Sequence, residues 1–198
     1  MEKEALRKAI LEKLETPRIP ERDWPAETFG IVPGAPELQT ERLDRAVRTI
    51  SAQGGGRLVL PAGDYRTGAV RLRSGVELRL EKGARLCFTA EEPEKNYPLV
   101  YVHWEASPCM NYSPLLYAFE EKDIAVTGEG VLDGGASRET WWRWHHQVEE
   151  AWSEDLPDFQ LKDRKALRRM NMDGVPPEER IFGPGHYLRP NFVQFLRC

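Results

Sequence analysis

The sequence predicts a mainly β chain built from short strands, and three observations carry that prediction. Strand-like runs crowd together at Arg57–Pro61 (RLVLP), Ala69–Leu72 (AVRL), Val76–Leu80 (VELRL) and Ala84–Phe88 (ARLCF). Glycine-containing turns separate them, PAGDY at 61–65, RSG at 73–75 and EKG at 81–83. A similar phrase returns at 123–134, DIAVTGEGVLDG, where Gly128 and Gly130 turn the chain between Val126 and Val131. Short strands with glycine turns fit a sandwich, a barrel or a β-solenoid. The solenoid is favoured, because the strands are close and the phrase recurs after one or two coils of about 20–30 residues.

Composition sets the frame. The 198 residues suit one domain or part of a larger one. A net charge of −4 excludes a generally basic nucleic-acid binder. The longest uncharged run, Ala106–Phe119, is too short for a membrane helix and contains Pro108 and Pro114. Residues 2–15 alternate in charge where a secretory signal would be apolar. Cys87, Cys109 and Cys198 are odd in number and lack metal-ligand spacing. The expectation is a cytoplasmic protein with reduced thiols, no metal, no cofactor, and neither nucleic acid nor membrane as partner.

The elements follow in order. Leu6, Ile10 and Leu14 form a narrow apolar stripe on a helix over 2–15, ended by Pro17 and Pro20 and expected to dock on the rest of the chain. Thr40 is placed as N-cap of a helix over 40–54, with Leu43, Ala46, Val47 and Ile50 on one face and Gly54 past its end. After the strands, residues 135–185 break the β pattern. Trp141, Trp144, Val148 and Trp152 have helical spacing, Pro157 stops that run, and 160–170 is basic and helical in character. This stretch reads as an insertion between two coils, after which Phe192–Leu196 resumes the apolar pattern.

Residues 28–198 resemble the amino-terminal part of glycoside hydrolase family 28, the polygalacturonase family, in its bacterial form. The blocks are GGGRLVLPAGDYRTGAVRLRSGVELRLEKGARLCF at 54–88, YPLVYVHWEASPCMNYSPLLYAF at 97–119, DIAVTGEGVLDGGASRETWW at 123–142 and GPGHYLRPNFVQFLRC at 183–198. The first block is shared with other β-helix proteins, whereas WEA…NYSPL and GHYLRP are more specific. TFGIVPGAPELQ at 28–39 departs from the acidic, glycine-rich opening usual in the family.

The resemblance implies a right-handed parallel β-helix capped at its N-terminal end by the 40–53 helix. It also implies hydrolysis of α-linked galacturonic acid polymers, or their oligosaccharides, with inversion. Inversion uses a carboxylic acid and a carboxylate about 6.5–9.5 Å apart. The family's N-T-D, D-D and G-H-G phrases are absent here, so no catalytic residue is assigned and the chain alone is expected to be inactive. Asn171-Met172-Asp173 and Arg180-Ile181-Phe182 only imitate family phrases. Asp133 reads as a turn residue that accepts backbone N–H groups.

Four residues are candidates for substrate binding. Arg189 can grip a carboxylate with two parallel hydrogen bonds. His186 precedes it, Trp104 offers an indole face to a sugar ring, and Glu105 stands beside that indole. The expected organisation is an N-terminal helix and linker at 1–27 and a β-helix portion at 28–198. The expected partner is an oligogalacturonide or another acidic glycan. The alternative is a non-catalytic β-helix module that binds acidic glycans or mediates assembly. Unpaired strand edges at an open β-helix end would then invite self-association.

Overall fold

The computed structural model describes residues 2–145 and 159–198. Helix α1 (Glu2–Leu11) leads to a short strand β1 (Asp23–Pro25), a 3₁₀ turn at Ala26–Phe29 and helix α2 (Thr40–Ala52). The first coil then runs β2 (Gly56–Leu60), β3 (Gly63–Thr67) and β4 (Val70–Arg71). The second runs β5 (Val76–Leu80), β6 (Ala84–Phe88), a helical turn α3 (Pro93–Asn96), the strands β7 (Leu99–Trp104) and β8 (Ser107–Tyr112), and β9 (Leu116–Phe119). The third runs β10 (Ala125–Gly128), β11 (Val131–Asp133), helix α4 (Phe159–Met172), β12 (Ile181–Phe182) and β13 (Val193–Leu196).

Three parallel sheets result, in the orders β1-β2-β5-β10, β11-β6-β3 and β13-β9-β4. Each coil contributes one strand to each sheet, so the chain winds as a parallel solenoid. Strand alternation gives the reason. In β2 and β5 every second side chain is buried while Arg57, Glu77 and Arg79 point outward. Inward residues then stack between coils. Leu58 stands beside Leu78, which stands beside Val126. Tyr65, Leu86 and Leu132 form a second row, and Val70 and Leu116 a third, whose register partner in the last coil, Val193, is exposed. At about 25 cal/mol per Å² of apolar surface removed from water, these rows supply the main driving force of the fold.

The corners are unequal. Leu60 to Gly63, Leu80 to Ala84 and Gly128 to Val131 join the first and second sheets by a few residues each. Every long excursion instead falls between the second and third sheets: α3 with the β7–β8 hairpin in one coil, and residues 134–192 in the next. The hairpin and the second excursion meet in a small separate core of Val102, Trp104, Cys109, Leu167, Phe182 and Leu188. There β12 pairs parallel with β8, and β7 pairs antiparallel with it.

Several expectations need correction. The first helix ends at Leu11, and Leu6, Ile10, Leu11 and Leu14 are exposed, so its stripe does not dock on the coils. Helix α2 has Gln39 as its cap residue, with no side-chain capping bond. Thr40 instead turns its hydroxyl to the Gly68 N–H at 2.7 Å, and the Gln39 amide spans the Val32 backbone at 2.8 and 2.9 Å. The predicted apolar face holds: Leu43, Ala46, Val47 and Ile50 are buried in the main core. Residues 63–65, read as part of a turn, begin β3. Among the tryptophan-rich residues, Trp141–Trp144 forms a 3₁₀ turn, while Val148, Trp152 and Pro157 lie outside the described residues.

Candidate functional site

The site is built at the long corner. Trp104 faces Ser107 across the end of the β7–β8 hairpin, leaving Glu105 and Ala106 as a two-residue loop. Both have positive φ, +44° and +64°. That is the backbone of the tight hairpin turn whose twist matches its strands, and it normally selects Asn-Gly. Holding residues with a Cβ there costs roughly 1–3 kcal/mol each, a strain the surroundings must hold in place. Helix α4 does so. Arg164 and Arg168, one helical turn apart, donate to the Glu105 carboxylate at 2.8 and 3.1 Å.

Arg189 sits opposite, directly after the buried Leu188. Its backbone N–H and its Nε–H both donate to Oε1 of Gln160, at 3.3 and 3.2 Å. Its carbonyl accepts from the Trp104 indole N–H at 3.0 Å. Burial lowers the pKa of the guanidinium from its ordinary value. Among the described residues no carboxylate forms an ion pair with it. Among the described residues, then, the cation is partly desolvated and oriented with no carboxylate to neutralise it.

A cavity of about 590 Å³ opens between these parts. Trp104, Glu105 and Arg189 line it together with Trp141, His145 and Asn191. The Trp141 indole donates to the Gly134 carbonyl at 3.1 Å, and its ring meets Tyr97 and Trp144 edge-on at 5.6 and 5.2 Å. Asn191 is held by the His103 carbonyl at 3.0 Å. His145 places a buried Nδ1 here that has no hydrogen-bond partner among the described residues. A chamber with an indole, and with a guanidinium and an imidazole nitrogen that lack partners of the opposite kind among the described residues, suits a polar anion carrying hydroxyl groups.

His186 lies elsewhere. Its Nδ1 is 2.9 Å from Oδ1 of the buried Asp163, whose other oxygen accepts the Tyr187 N–H at 2.6 Å. The imidazole thus braces the approach to Leu188 and does not line the cavity. Asp133 does line it, but its Oδ1 accepts from the Gly135 N–H at 2.9 Å and its Oδ2 pairs with Arg85. The Gly135 N–H, and then Arg85, hold its carboxyl below the usual range against the opposing effect of burial. Gln160 and His145 escaped the sequence reading. A lone glutamine at the start of a basic helix carries no signal, and His145 was overshadowed by the tryptophans before it. Asn171 accepts from Arg180, which also donates to the Pro108 carbonyl on β8, and Asp173 pairs with Arg169 at the end of α4. Among the described residues no group of three His, Cys, Asp or Glu could hold a metal ion.

Comparison with known proteins gives the family context. No family model matches the chain. A probable polygalacturonase of Vitis vinifera is 30% identical over 148 residues, covering 69% of this chain and 29% of that protein. An exo-poly-alpha-D-galacturonosidase of Dickeya chrysanthemi is 23% identical over 161 residues, covering 77% and 25%. The crystal structure of a hyperthermoactive exopolygalacturonase from Thermotoga maritima superposes with a TM-score of 0.90 at 41% identity, covering 98% of this chain and 43% of that one. The chain spans less than a third of the length of the curated relatives it matches. In sequence and in fold, over that part of their length, the chain is a relative of the polygalacturonases of glycoside hydrolase family 28.

Proposed function

We propose that the chain supplies an acidic-sugar subsite of a polygalacturonase-type glycoside hydrolase acting on pectin-derived oligogalacturonides. One observation carries this reading: the half-buried Arg189 guanidinium in the cavity has no carboxylate of the described residues against it. A uronate carboxylate would complete that charge with charge-assisted hydrogen bonds, the strong class in a partly dry site. The indoles of Trp104 and Trp141 would shield the sugar ring from water, and His145 Nδ1 would bond a ring hydroxyl. Glu105 would not repel the ligand, because Arg164 and Arg168 already neutralise it.

Hydrolysis with inversion needs an acid and a base. The sequence contains no Asp-Asp pair and no Gly-His-Gly phrase. We therefore expect binding without turnover from these 198 residues. Calorimetric titration with digalacturonate tests the reading. Saturable binding that Arg189→Ala weakens about tenfold or more is the expected result. No binding at millimolar ligand, or equal binding by the variant, overturns it. Release of reducing ends that a mutation within the chain abolishes would overturn the expectation of inactivity.

A further inference from the structure

We infer that Gln160 is the positioning residue that makes this cavity select an anionic sugar over its neutral counterpart. The inference rests on the reading of Arg189 as the carboxylate contact, and it concerns how that arginine is held. A half-buried guanidinium in a fold is most often fixed by a carboxylate, which orients it and cancels its charge together. Here the orienting partner is a neutral amide oxygen.

Gln160 is buried. Its Oε1 accepts two hydrogen bonds from one residue, the backbone N–H and the Nε–H of Arg189. The first fixes the main chain and the second fixes the plane of the guanidinium of a residue that lines the cavity, with both Nη groups left out of these two bonds. Among the described residues only burial acts on the pKa of Arg189, and it lowers it. Among the described residues, the arginines that reach the carboxylates of the cavity wall are paired there, Arg164 and Arg168 with Glu105 and Arg85 with Asp133. Among the described residues lining the cavity Arg189 is the one arginine or lysine, and it keeps its charge because residue 160 is glutamine. A glutamate at the same place would accept the same two bonds and neutralise it.

The test measures preference rather than affinity alone. Wild type, Arg189→Ala, Gln160→Glu and Gln160→Met are each titrated with the methyl glycoside of galacturonic acid, whose carboxylate is free, and with the methyl ester of that glycoside, which is neutral. Wild type should favour the anion, and Arg189→Ala should lose that preference. If either fails, the reading of Arg189 itself falls. Granted both, Gln160→Glu should reduce the preference about tenfold or more while ester affinity stays within about twofold. Gln160→Met keeps the length but cannot accept, so it should give an intermediate preference. Retained preference in Gln160→Glu overturns the inference while leaving Arg189 in place. Equal loss of both ligands in Gln160→Glu also overturns it, because a merely structural residue would behave that way. If Gln160→Glu does not fold, Gln160→Met decides: wild-type preference overturns the inference and reduced preference upholds it. If neither folds, Gln160 is structural and the inference falls.

Discussion

The indole N–H of Trp104 donates to the carbonyl of Arg189 at 3.0 Å, so the hairpin tip holds the backbone of the residue whose guanidinium faces the cavity. Trp104→Phe keeps an aromatic ring in the small core but removes this donor. An unsatisfied carbonyl in a largely buried place costs about 1–3 kcal/mol. Denaturant titration should show a loss of that order, accompanied by severalfold weaker uronate binding.

Glu105 combines backbone strain with an ion pair, and two substitutions separate them. Glu105→Gln keeps the positive φ and loses the attraction to Arg164 and Arg168. Because these side chains are substantially exposed, the loss should not exceed about 1 kcal/mol and should shrink in salt. Glu105→Gly also loses the pair but relieves the strain. It should be more stable than Glu105→Gln when melting temperatures are compared.

Acid should loosen the coil at a defined point. Burial alone would raise the pKa of Glu121, but the Ser74 hydroxyl and N–H, at 2.6 and 2.8 Å, and Arg73 outweigh it, so the net shift is downward. A carboxylate with a lowered native pKa contributes stability that is present above its unfolded pKa and is lost as pH falls through the native one. Thermal stability should therefore hold from neutrality to about pH 5 and decline below about pH 4. Glu121→Gln should flatten that decline. An undiminished acid slope in the variant would remove Glu121 from the account.

The cysteines report on local opening. Burial pushes the Cys109 thiol up to about 12, and it lies within the small core that joins hairpin and α4. The thiolate is the reactive form, so Cys109 should resist alkylation in the native chain. Cys198 is exposed and should label first. Cys87 is half-buried and also shifted upward, chiefly by burial, and should fall between. Labelling of Cys109 that tracks denaturant would measure the opening of this small core.

Two glycines with similar backbone angles should respond differently to alanine. Gly128 has φ +99°, and an added Cβ would stand 1.9 Å from the Leu80 carbonyl oxygen. Gly54 has φ +91° but nothing within 4 Å of the added atom. Gly54→Ala should cost about 1 kcal/mol from the backbone alone. Gly128→Ala should cost roughly 2 kcal/mol or more, because the coil contact is also broken.

The coils were legible wherever a strand alternates. VELRL and ARLCF match β5 and β6 residue for residue, since their outward positions are charged or intermediate and their inward ones apolar. GDYRT was missed because only Tyr65 and Thr67 turn inward, and the charges of Asp64 and Arg66 imitate a loop. The β7–β8 hairpin was invisible because its turn is Glu-Ala, where a hairpin signal would be Asn-Gly. At the site, Trp104, Glu105 and Arg189 were named from residue type, and the structure brings them to one cavity. Gln160 and His145 reach it only through the folding of the long excursion. No local pattern encodes that path. The exposure of α1 was equally hidden, because an amphipathic stripe says that a face is apolar and not what it meets.

The unequal corners have an evolutionary consequence. The short corner stays short in every coil, two residues between Leu60 and Gly63 and three between Leu80 and Ala84, and the one-residue difference is absorbed there without moving β6 against β3. The other corner varies far more widely, as segments as different as Thr67–Val70 and Asp133–Val193 close the same turn. The scaffold therefore divides into a part whose length barely varies from coil to coil and a cassette that can be exchanged whole. New chemistry can be grafted at the cassette without renegotiating the ladder beneath it, and the cavity stands at that graft point.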